Sequence, residues 1–405
     1  MPDLAEWLPF ALSPPRRAVY KRLSANDTGA TGAHQVGPYI PNRVAFALDP
    51  TLEDPVRNPR RDFHLRLISH AETSTPSLIY YNNRRFGGTR NECRLTGFGG
   101  RQSALFDPES TGALLILSFG ELGSEVEGWL ATDPEEDQVI EAVLGPVEPG
   151  IVGFIGPDPA GTLALFEVAP GLDSCRPDEA TLPSRWRQEF PSASEISAHA
   201  AALVPPSLPM DTRFLRRHDC EYSLFQVVEE HHLLPVIGGG FRFVADFLAL
   251  AQTTLQRRKS RAGKSLELQL ARIFDEERLE YVAQAQTELG HRPDFLFPSL
   301  EAYRQLPSGH PSLAMLAVKS TLRDRWRQVL TEADKIPVKH LFTLDQGLSD
   351  AQFRDVTAAG IRLVVPERRL ASYPASLRVE ISTLAAFVQK RARRRMDATR
   401  LADGP

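Results

Sequence analysis

The stretch Leu313-Ala314-Met315-Leu316-Ala317-Val318 is an unbroken apolar run that ends directly in the charged residue Lys319. Short runs of this kind are typical of a strand that is buried on both faces of a sheet. A charge at the edge of such a strand is costly unless it is paired or bound to an ion. The stretch therefore predicts a central strand with a capped or functional lysine at its end.

Helices and strands alternate on either side of this strand. In chain order we predict a helix over about 264–278, strands over 293–298 and 313–318, a helix from about 326 to 333, a strand over 340–344, a helix near 351–359 and a strand over 361–365. Apolar residues recur on one helical face in the helices, as Leu266, Leu270 and Ile273 do. This alternation predicts an α/β domain whose sheet is covered on both faces.

The N-terminal half has a different pattern. Its apolar runs are short and lie between glycine, proline and aspartate turns, at 77–81, 113–117 and 163–166. Such runs predict a β-rich domain, for which a compact barrel is the simplest arrangement. From Pro170 to Pro209 the chain holds seven prolines, which disfavour long regular elements. We therefore predict an N-terminal domain over 1–170, a Pro-rich linker over 171–209 and a C-terminal domain over 210–405.

Length and composition narrow the class of protein. A chain of 405 residues with 42% hydrophobic residues is long enough for two or three domains. Its longest apolar runs fall far short of the roughly 20 residues that span a bilayer. The first residues lack the basic start and cleavage site of a secretory signal, so we expect a cytoplasmic protein with no membrane partner. Cys93, Cys175 and Cys220 lack the spacing of a zinc site or disulfide framework, which predicts reduced thiols.

The net charge of −4 conceals segments of opposite sign. Residues 1–101 carry +5, residues 102–210 carry −15 and residues 211–405 carry +6. Two basic blocks separated by an acidic one indicate two surfaces that bind polyanions. Uneven solvation of ordinary surfaces explains the same division, so charge alone leaves both interpretations open.

Three charged residues flank the predicted sheet edge. Asp294 follows a proline at a strand start, Lys319 ends the buried strand, and Glu332 lies thirteen residues later in a predicted helix. Singly, each is explained by a salt bridge or a solvated helix position. Together they meet the needs of phosphodiester hydrolysis: Asp294 and Glu332 as oxygen ligands of Mg²⁺, and the lysine to stabilise developing charge. Glu267 on the preceding helix could add an outer contact, although a surface position is the simpler interpretation.

The pattern Pro293-Asp294, Lys319 and Glu332 resembles one subgroup of the PD-(D/E)XK nuclease superfamily. Most members place an acid two residues before the lysine, where this chain has Ala317. In the subgroup, the missing acid comes from thirteen residues downstream. The matching segments are 21–32, 89–92, 257–268, 293–298, 316–319, 324–328 and 332–336. The chain thus resembles the EcoRII-like type IIE restriction endonucleases over nearly its whole length, more weakly over about 120–210.

This resemblance implies a restriction-endonuclease-like central mixed sheet and a Mg²⁺-dependent enzyme that makes double-strand cuts at CCWGG, where W is A or T. Arg323, Asp324 and Arg325 follow the lysine where the subgroup reads C·G pairs. Arginine can grip guanine O6 and N7, and a carboxylate accepts from cytosine N4. Without the resemblance, a charged helix start explains these residues. A homodimer on a near-palindromic site and a cognate DNA methyltransferase in the same system are also implied.

For the N-terminal half the resemblance implies a barrel that binds a second copy of the recognition site, as effector, and covers the catalytic cleft until it does so. The acidic stretch 102–210 offers a physical basis for this inhibition, because it could occupy a DNA-binding groove or repel DNA from it. A basic segment with amides suits phosphate contacts and some base reading. The candidate effector contacts are Lys21, Arg22, Asn26, His34, Arg90, Asn91, Glu92 and Arg94. For His34 alone, an ordinary loop histidine is the simpler interpretation.

Two alternatives remain at the level of sequence. One is a sequence-specific DNA-binding regulator with an inactive nuclease core. The presence of Asp294, Lys319 and Glu332 together argues against loss of the site. The other is a nuclease of the same fold with another target sequence, which the positions of the cut ends would reveal.

Overall fold

The computed structural model describes residues 3–32, 36–100, 102–121, 124–131, 133–156, 166–168, 175, 180 and 182–402, without the side chains of 166–168, 324 and 394–402. The chain forms two compact units. One consists of 1–170, 345–353 and 372–377, and the other of 171–344, 354–371 and 378–405.

The N-terminal unit is built on two open sheets. Its helices are α1 (Leu4–Leu12), α2 (Asn42–Leu48) and α3 (Pro134–Leu144). Its strands are β1 (Arg17–Arg22), β2 (Tyr39–Ile40), β3 (Arg60–Asp62), β4 (His64–Leu67), β5 (Glu72–Ser74), β6 (Ser77–Tyr81), β7 (Glu92–Thr96), β8 (Leu114–Phe119), β9 (Glu125–Leu130), β10 (Ile151–Ile155) and β11 (Phe166–Val168). The sheet orders are β11-β10-β1-β8-β9-β4-β5 and β2-β7-β6-β3.

The predicted barrel is not confirmed, because neither sheet closes on itself among the described residues. Strand β8 is buried along its whole length. Leu115 and Leu117 on one face join a core with β1 and β4, while Leu114 and Ile116 on the other face pack with α1 and α3. The seven-stranded sheet is therefore covered on both faces, which removes the need for closure. The predicted strands over 77–81 and 113–117 are confirmed, and 163–165 lie outside the described residues.

Downstream of residue 170 the chain alternates helices and strands. The helices are α4 (Ala193–Leu203), α5 (Met210–Gly239), α6 (Val244–Glu276), α7 (Leu300–Gln305), α8 (Asp350–Ala358), α9 (Glu367–Leu370) and α10 (Leu384–Ala402). The strands are β12 (Val282–Ala283), β13 (Phe295–Phe297), β14 (Ala314–Lys319), β15 (Lys339–Thr343), β16 (Ile361–Val365) and β17 (Ser382–Thr383). They form one mixed sheet in chain order, antiparallel from β12 to β14 and parallel from β14 to β17.

The mixed sheet confirms the predicted α/β domain. Leu316 and Val318 of β14 pack on α5, α6 and α10, and Met315 and Ala317 on the opposite face are also buried. A strand covered on both faces must be apolar at every position, which is why its sequence lacks alternation. The predicted helix over 264–278 is confirmed as the second half of the much longer α6.

The region predicted as a linker contains the eleven-residue helix α4. Ser192 and Glu195 form a capping box at its start, and Pro191 and Pro205 lie outside it, so the prolines bound the helix without interrupting it. Ile196 and Ala200 pack against residues of α5. Short helices therefore fit between widely spaced prolines.

The cysteine prediction is wrong in part. Cys175 and Cys220, whose sequence separation is 45, form a disulfide, and Cys93 alone is a buried free thiol. Sequence spacing gave no signal because the pairing joins a segment before α4 to the middle of α5. In the described part of the chain, no helix is long and apolar enough to cross a membrane.

Candidate active site

Strands β13 and β14 bring Asp294 and Lys319 together. The strands are antiparallel, with Phe295 opposite Leu316, so the start of β13 lies beside the end of β14. The Val318 backbone N–H donates to Asp294 Oδ2 at 2.7 Å, and Lys319 Nζ lies 4.0 Å from the same oxygen. The predicted pairing of carboxylate and lysine at one sheet edge is thus present in the geometry.

Glu332 reaches this edge from a turn, not from the predicted helix. A 3-10 helix spans Arg323–Thr331 and ends at Glu332, whose backbone is extended, and Ala333 follows in the left-handed region with φ of 49°. The buried Lys339 donates from Nζ to the backbone carbonyls of Glu332, Ala333 and Ile336. This lysine clamps the turn that carries the glutamate.

Like charges crowd the site. Burial, and then the negative charge of Asp294, raise the pKa of Glu332 to about 7, although Lys319 and Lys339 act in the opposite direction. Glu332 Oε2 is buried and has no hydrogen-bond partner among the described residues. Burial, followed by Asp294, also raises the pKa of Glu267 on α6. A bound cation would relieve all three effects.

The residues present fit a magnesium ion. No group of three or more His, Cys, Asp or Glu side chains among the described residues is arranged to enclose a metal. Mg²⁺ does not need such a cage, because it commonly binds through one or two carboxylates and keeps several waters or phosphate oxygens. Asp294 and Glu332 supply two carboxylates. Glu332 Oε2, which has no hydrogen-bond partner among the described residues, is an oxygen ligand of the kind that a hard cation binds.

Two side chains that sequence reasoning missed support the site. Gln284, just after β12, donates from Nε2 to Asp294 Oδ1 at 2.9 Å and to Glu267 Oε2 at 3.1 Å. Lys339, described above, is a charge at the start of an apolar strand, which is the same signal that singled out Lys319. Gln284 gave no signal, since a lone glutamine in a loop has no distinctive pattern.

Three residues separate the end of β14 from the predicted base-reading residues. Arg323 and Arg325 lie in the first turn of the 3-10 helix, the former half-buried and the latter exposed. The side chain of Asp324 lies outside the described residues. The three positions are therefore close in sequence and structure to Lys319, and their role in base reading stays a prediction.

In the N-terminal unit, two predicted effector contacts are buried ion pairs. Lys21 Nζ binds Asp27 Oδ2 at 2.7 Å, and Arg22 binds Asp137 at 2.7 Å and Glu141 at 2.8 Å. The side chains of Lys21 and Arg22 are only 6% and 2% exposed. Both side chains are therefore held in ion pairs inside the N-terminal unit, and their role as effector contacts stays a prediction.

The remaining effector candidates lie nearer the surface. Arg94 donates to Glu92 at 3.2 Å, and its guanidinium lies 3.1 Å from the Asn26 side-chain amide. Arg90 and Asn91 are exposed in the loop before β7. His34 lies outside the described residues. These contacts bring Asn26, Glu92 and Arg94 together, whereas Arg90 and Asn91 extend the same surface.

Comparison with known proteins covers both units. A family model described as EcoRII C terminal matches residues 225–388, and another described as Restriction endonuclease EcoRII, N-terminal, matches residues 14–158. Over 380 residues the chain is 45% identical to the Type II restriction enzyme EcoRII of Escherichia coli. The alignment covers 91% of this chain and 92% of that protein. The chain belongs to the EcoRII restriction endonuclease family. As an EcoRII-like type II restriction enzyme, it is a DNA-binding nuclease.

Solved structures of another restriction enzyme align with part of the chain. Metal-depleted Ecl18kI in complex with uncleaved, modified DNA aligns with a TM-score of 0.42 and 17% identity, over 51% of this chain and 79% of that one. Metal-depleted Ecl18kI in complex with uncleaved DNA aligns with a TM-score of 0.40 and 18% identity, over 52% and 81%.

Proposed function

We propose that this EcoRII-like enzyme makes Mg²⁺-dependent double-strand cuts at CCWGG, and that Asp294, Lys319 and Glu332 form its catalytic site. The observation that supports this most is the meeting of two carboxylates and a lysine at one edge of the mixed sheet, with the buried Glu332 Oε2 unsatisfied. Mg²⁺ bound by Asp294 and Glu332 would neutralise phosphate charge and lower the pKa of a bound water.

The residues divide the work of hydrolysis. Asp294 accepts a hydrogen bond from the Val318 N–H, so one of its carboxylate oxygens is already held before DNA binds. Lys319, within 4.0 Å of that carboxylate, stabilises negative charge on the phosphoryl oxygens or orients the attacking water. Attack by water forms one P–O bond while the bond to the departing sugar oxygen breaks, with no covalent enzyme intermediate.

Sequence reading is assigned to Arg323, Asp324 and Arg325. Their place, separated from the end of β14 by three residues, would bring base contacts near a phosphate bound at Asp294 and Lys319. Replacing Arg323 by alanine should reduce discrimination at a C·G pair by about 1–3 kcal/mol. The ratio of cleavage rates on CCWGG and on duplexes with one changed C·G pair measures this loss.

We further propose that the N-terminal unit binds a second CCWGG copy and otherwise inhibits cleavage. The exposed Arg90 and Asn91, with the cluster of Asn26, Glu92 and Arg94, are the candidate contacts. A short uncleavable CCWGG duplex added to a single-site substrate should accelerate cleavage by the full-length protein. The Arg90→Ala variant should respond less, and equal stimulation of both proteins would refute this assignment.

An exposed apolar tip supports the proposed homodimer. The loop between α5 and α6 and the flanking helix ends leave large apolar side chains between 44% and 75% exposed: Leu234, Val236, Ile237, Phe243, Val244, Phe247 and Leu248. A monomer rarely exposes so continuous a patch. We assign it to a second copy of this chain, because two-fold symmetry matches a near-palindromic site.

Oligomeric state tests this surface. Phe247→Asp should shift the protein from dimer to monomer in analytical ultracentrifugation, since the charge would lie in an apolar interface. Val379→Asp, at a residue that is 89% exposed elsewhere in the chain, is the matched control and should leave the dimer intact. A dimer that survives Phe247→Asp would exclude this tip as the interface.

A plasmid digest tests the proposed function as a whole. The protein is incubated with Mg²⁺ and a plasmid that carries several CCWGG sites, and the ends are mapped. Ends at every CCWGG support the proposal, and ends elsewhere indicate another target sequence. Specific binding without cleavage, across metals and effector duplexes, would indicate an inactive core. A cognate methyltransferase is expected in the same system, since host sites need protection.

A further inference from the structure

Gln284 contacts two acidic residues of the candidate site at once. Its Nε2 donates one hydrogen to Asp294 Oδ1 at 2.9 Å and the other to Glu267 Oε2 at 3.1 Å. The carboxylates belong to different segments, since Asp294 immediately precedes β13 and Glu267 lies in the second half of α6. A single amide thus bridges two negative charges that otherwise repel each other.

With this contact, both oxygens of Asp294 are anchored. The Val318 backbone N–H binds Oδ2 at 2.7 Å, and Gln284 binds Oδ1. Two hydrogen bonds on opposite oxygens fix the plane of the carboxylate, whereas one would leave it free to rotate. A ligand that is oriented before the metal arrives loses less freedom when the metal binds.

The backbone of Gln284 gives an independent observation. Its φ is 53°, in the left-handed region that residues other than glycine seldom adopt. Its N–H donates to the Asp294 carbonyl at 3.1 Å, which continues the pairing of β12 with β13 by one residue. The unfavourable conformation turns the side chain of this exposed residue back toward the carboxylates. Such a backbone outlier beside a site suggests a functional constraint.

We infer that Gln284 is a positioning residue that orients Asp294 and holds Glu267 beside it for metal binding. The inference rests on the proposed function of Asp294 as a metal ligand. Outer contacts of this kind typically change metal affinity by about 10- to 100-fold. Loss of the amide should therefore weaken metal binding and raise the Mg²⁺ concentration that cleavage requires, while the rate at saturating Mg²⁺ changes little.

The test variant is Gln284→Gly, because glycine accepts the left-handed backbone and removes the side-chain amide together with its two methylene groups. Gln286→Gly, at an exposed glutamine two residues away, is the matched control. Binding of Mn²⁺ to the full-length protein is measured as the decrease in the paramagnetic resonance signal of the free ion. Asp294→Asn defines the part of that binding that belongs to the site. Cleavage rates are then measured across Mg²⁺ concentrations.

We expect Gln284→Gly to weaken the Asp294-dependent Mn²⁺ binding by about 10-fold or more, and Gln286→Gly to match the wild type. Unchanged Mn²⁺ binding in Gln284→Gly would overturn the inference. A variant that loses DNA binding or folding, but whose cleavage depends on Mg²⁺ concentration as the wild type does, would also overturn it. If the wild type binds Mn²⁺ through Asp294 but cuts no DNA, the proposed function fails, yet the binding comparison still decides the role of Gln284.

Discussion

Replacing Glu332 by glutamine removes a carboxylate whose pKa is raised from 4.5 to about 7, chiefly by burial and then by Asp294. Without metal, the native state resists ionisation of this group until about pH 7, whereas the unfolded chain ionises it above pH 4.5. The native state therefore binds more protons within this window. Its stability falls as pH rises from 4.5 to 7 and stays reduced above that range.

The size of the effect follows from the pKa. A rise from 4.5 to about 7 corresponds to an upper bound of about 3–4 kcal/mol. Because Glu332 is partly exposed, solvent screening reduces this to about 1–2 kcal/mol. Glu332→Gln should therefore be more stable than the wild type by this amount at pH 8 in EDTA, and nearly equal to it at pH 4.5. Added Mg²⁺ should stabilise only the wild type.

Hydrogen exchange in strand β14 measures this difference locally, because β14 lies at the centre of the sheet that carries the site. The opening free energy of β14 is compared between wild type and Glu332→Gln from pH 5 to pH 8.5. Glu301→Gln, at an exposed residue of α7, is the control and should show no such trend. A variant that is destabilised at pH 8, or whose difference from wild type does not change with pH, would refute this account of the electrostatics.

Two further substitutions test the contacts around the sites. Lys339→Met should lower the cleavage rate by about 10-fold or more, because the turn that carries Glu332 loses the hydrogen bonds that Lys339 donates to it. The free energy of unfolding, measured by urea denaturation, should change by a much smaller proportion. Normal cleavage by this variant would mean that the clamp is dispensable. Arg22→Met should destabilise the N-terminal unit by about 3–5 kcal/mol in urea denaturation, because Asp137 loses its buried partner. Loss of effector stimulation without loss of stability would instead indicate that Arg22 contacts the effector DNA.

The sheet and two members of the site were predictable from sequence because local patterns determine them. The apolar run up to Lys319 is typical of a strand covered on both faces, and Pro293-Asp294 marks the start of its neighbour. In two adjacent antiparallel strands, the start of one strand lies beside the end of the other. The structure supplies this antiparallel pairing, which the sequence did not predict, and the pairing places Asp294 near Lys319.

Contacts between distant parts of the chain were not predictable in the same way. Glu332 has helical spacing with its neighbours, yet the left-handed Ala333 and the clamp of Lys339 place it in a turn. Arg22 has the sequence of a surface cation, but its carboxylate partner Asp137 lies 115 residues away. The sequence shows that a residue is charged but not which residue pairs with it, so the burial of a cation cannot be predicted before the fold is known.

Cleavage and binding by Lys319→Ala test the central claim most directly. Single-turnover cleavage of a CCWGG duplex in Mg²⁺ is measured beside specific binding to the same duplex in Ca²⁺, with Lys390→Ala at an exposed residue as control. If Lys319 stabilises charge at the reacting phosphate, cleavage should fall by about 100-fold or more while binding stays nearly unchanged. Full cleavage by Lys319→Ala would show that the site formed with Asp294 and Glu332 does not perform the reaction.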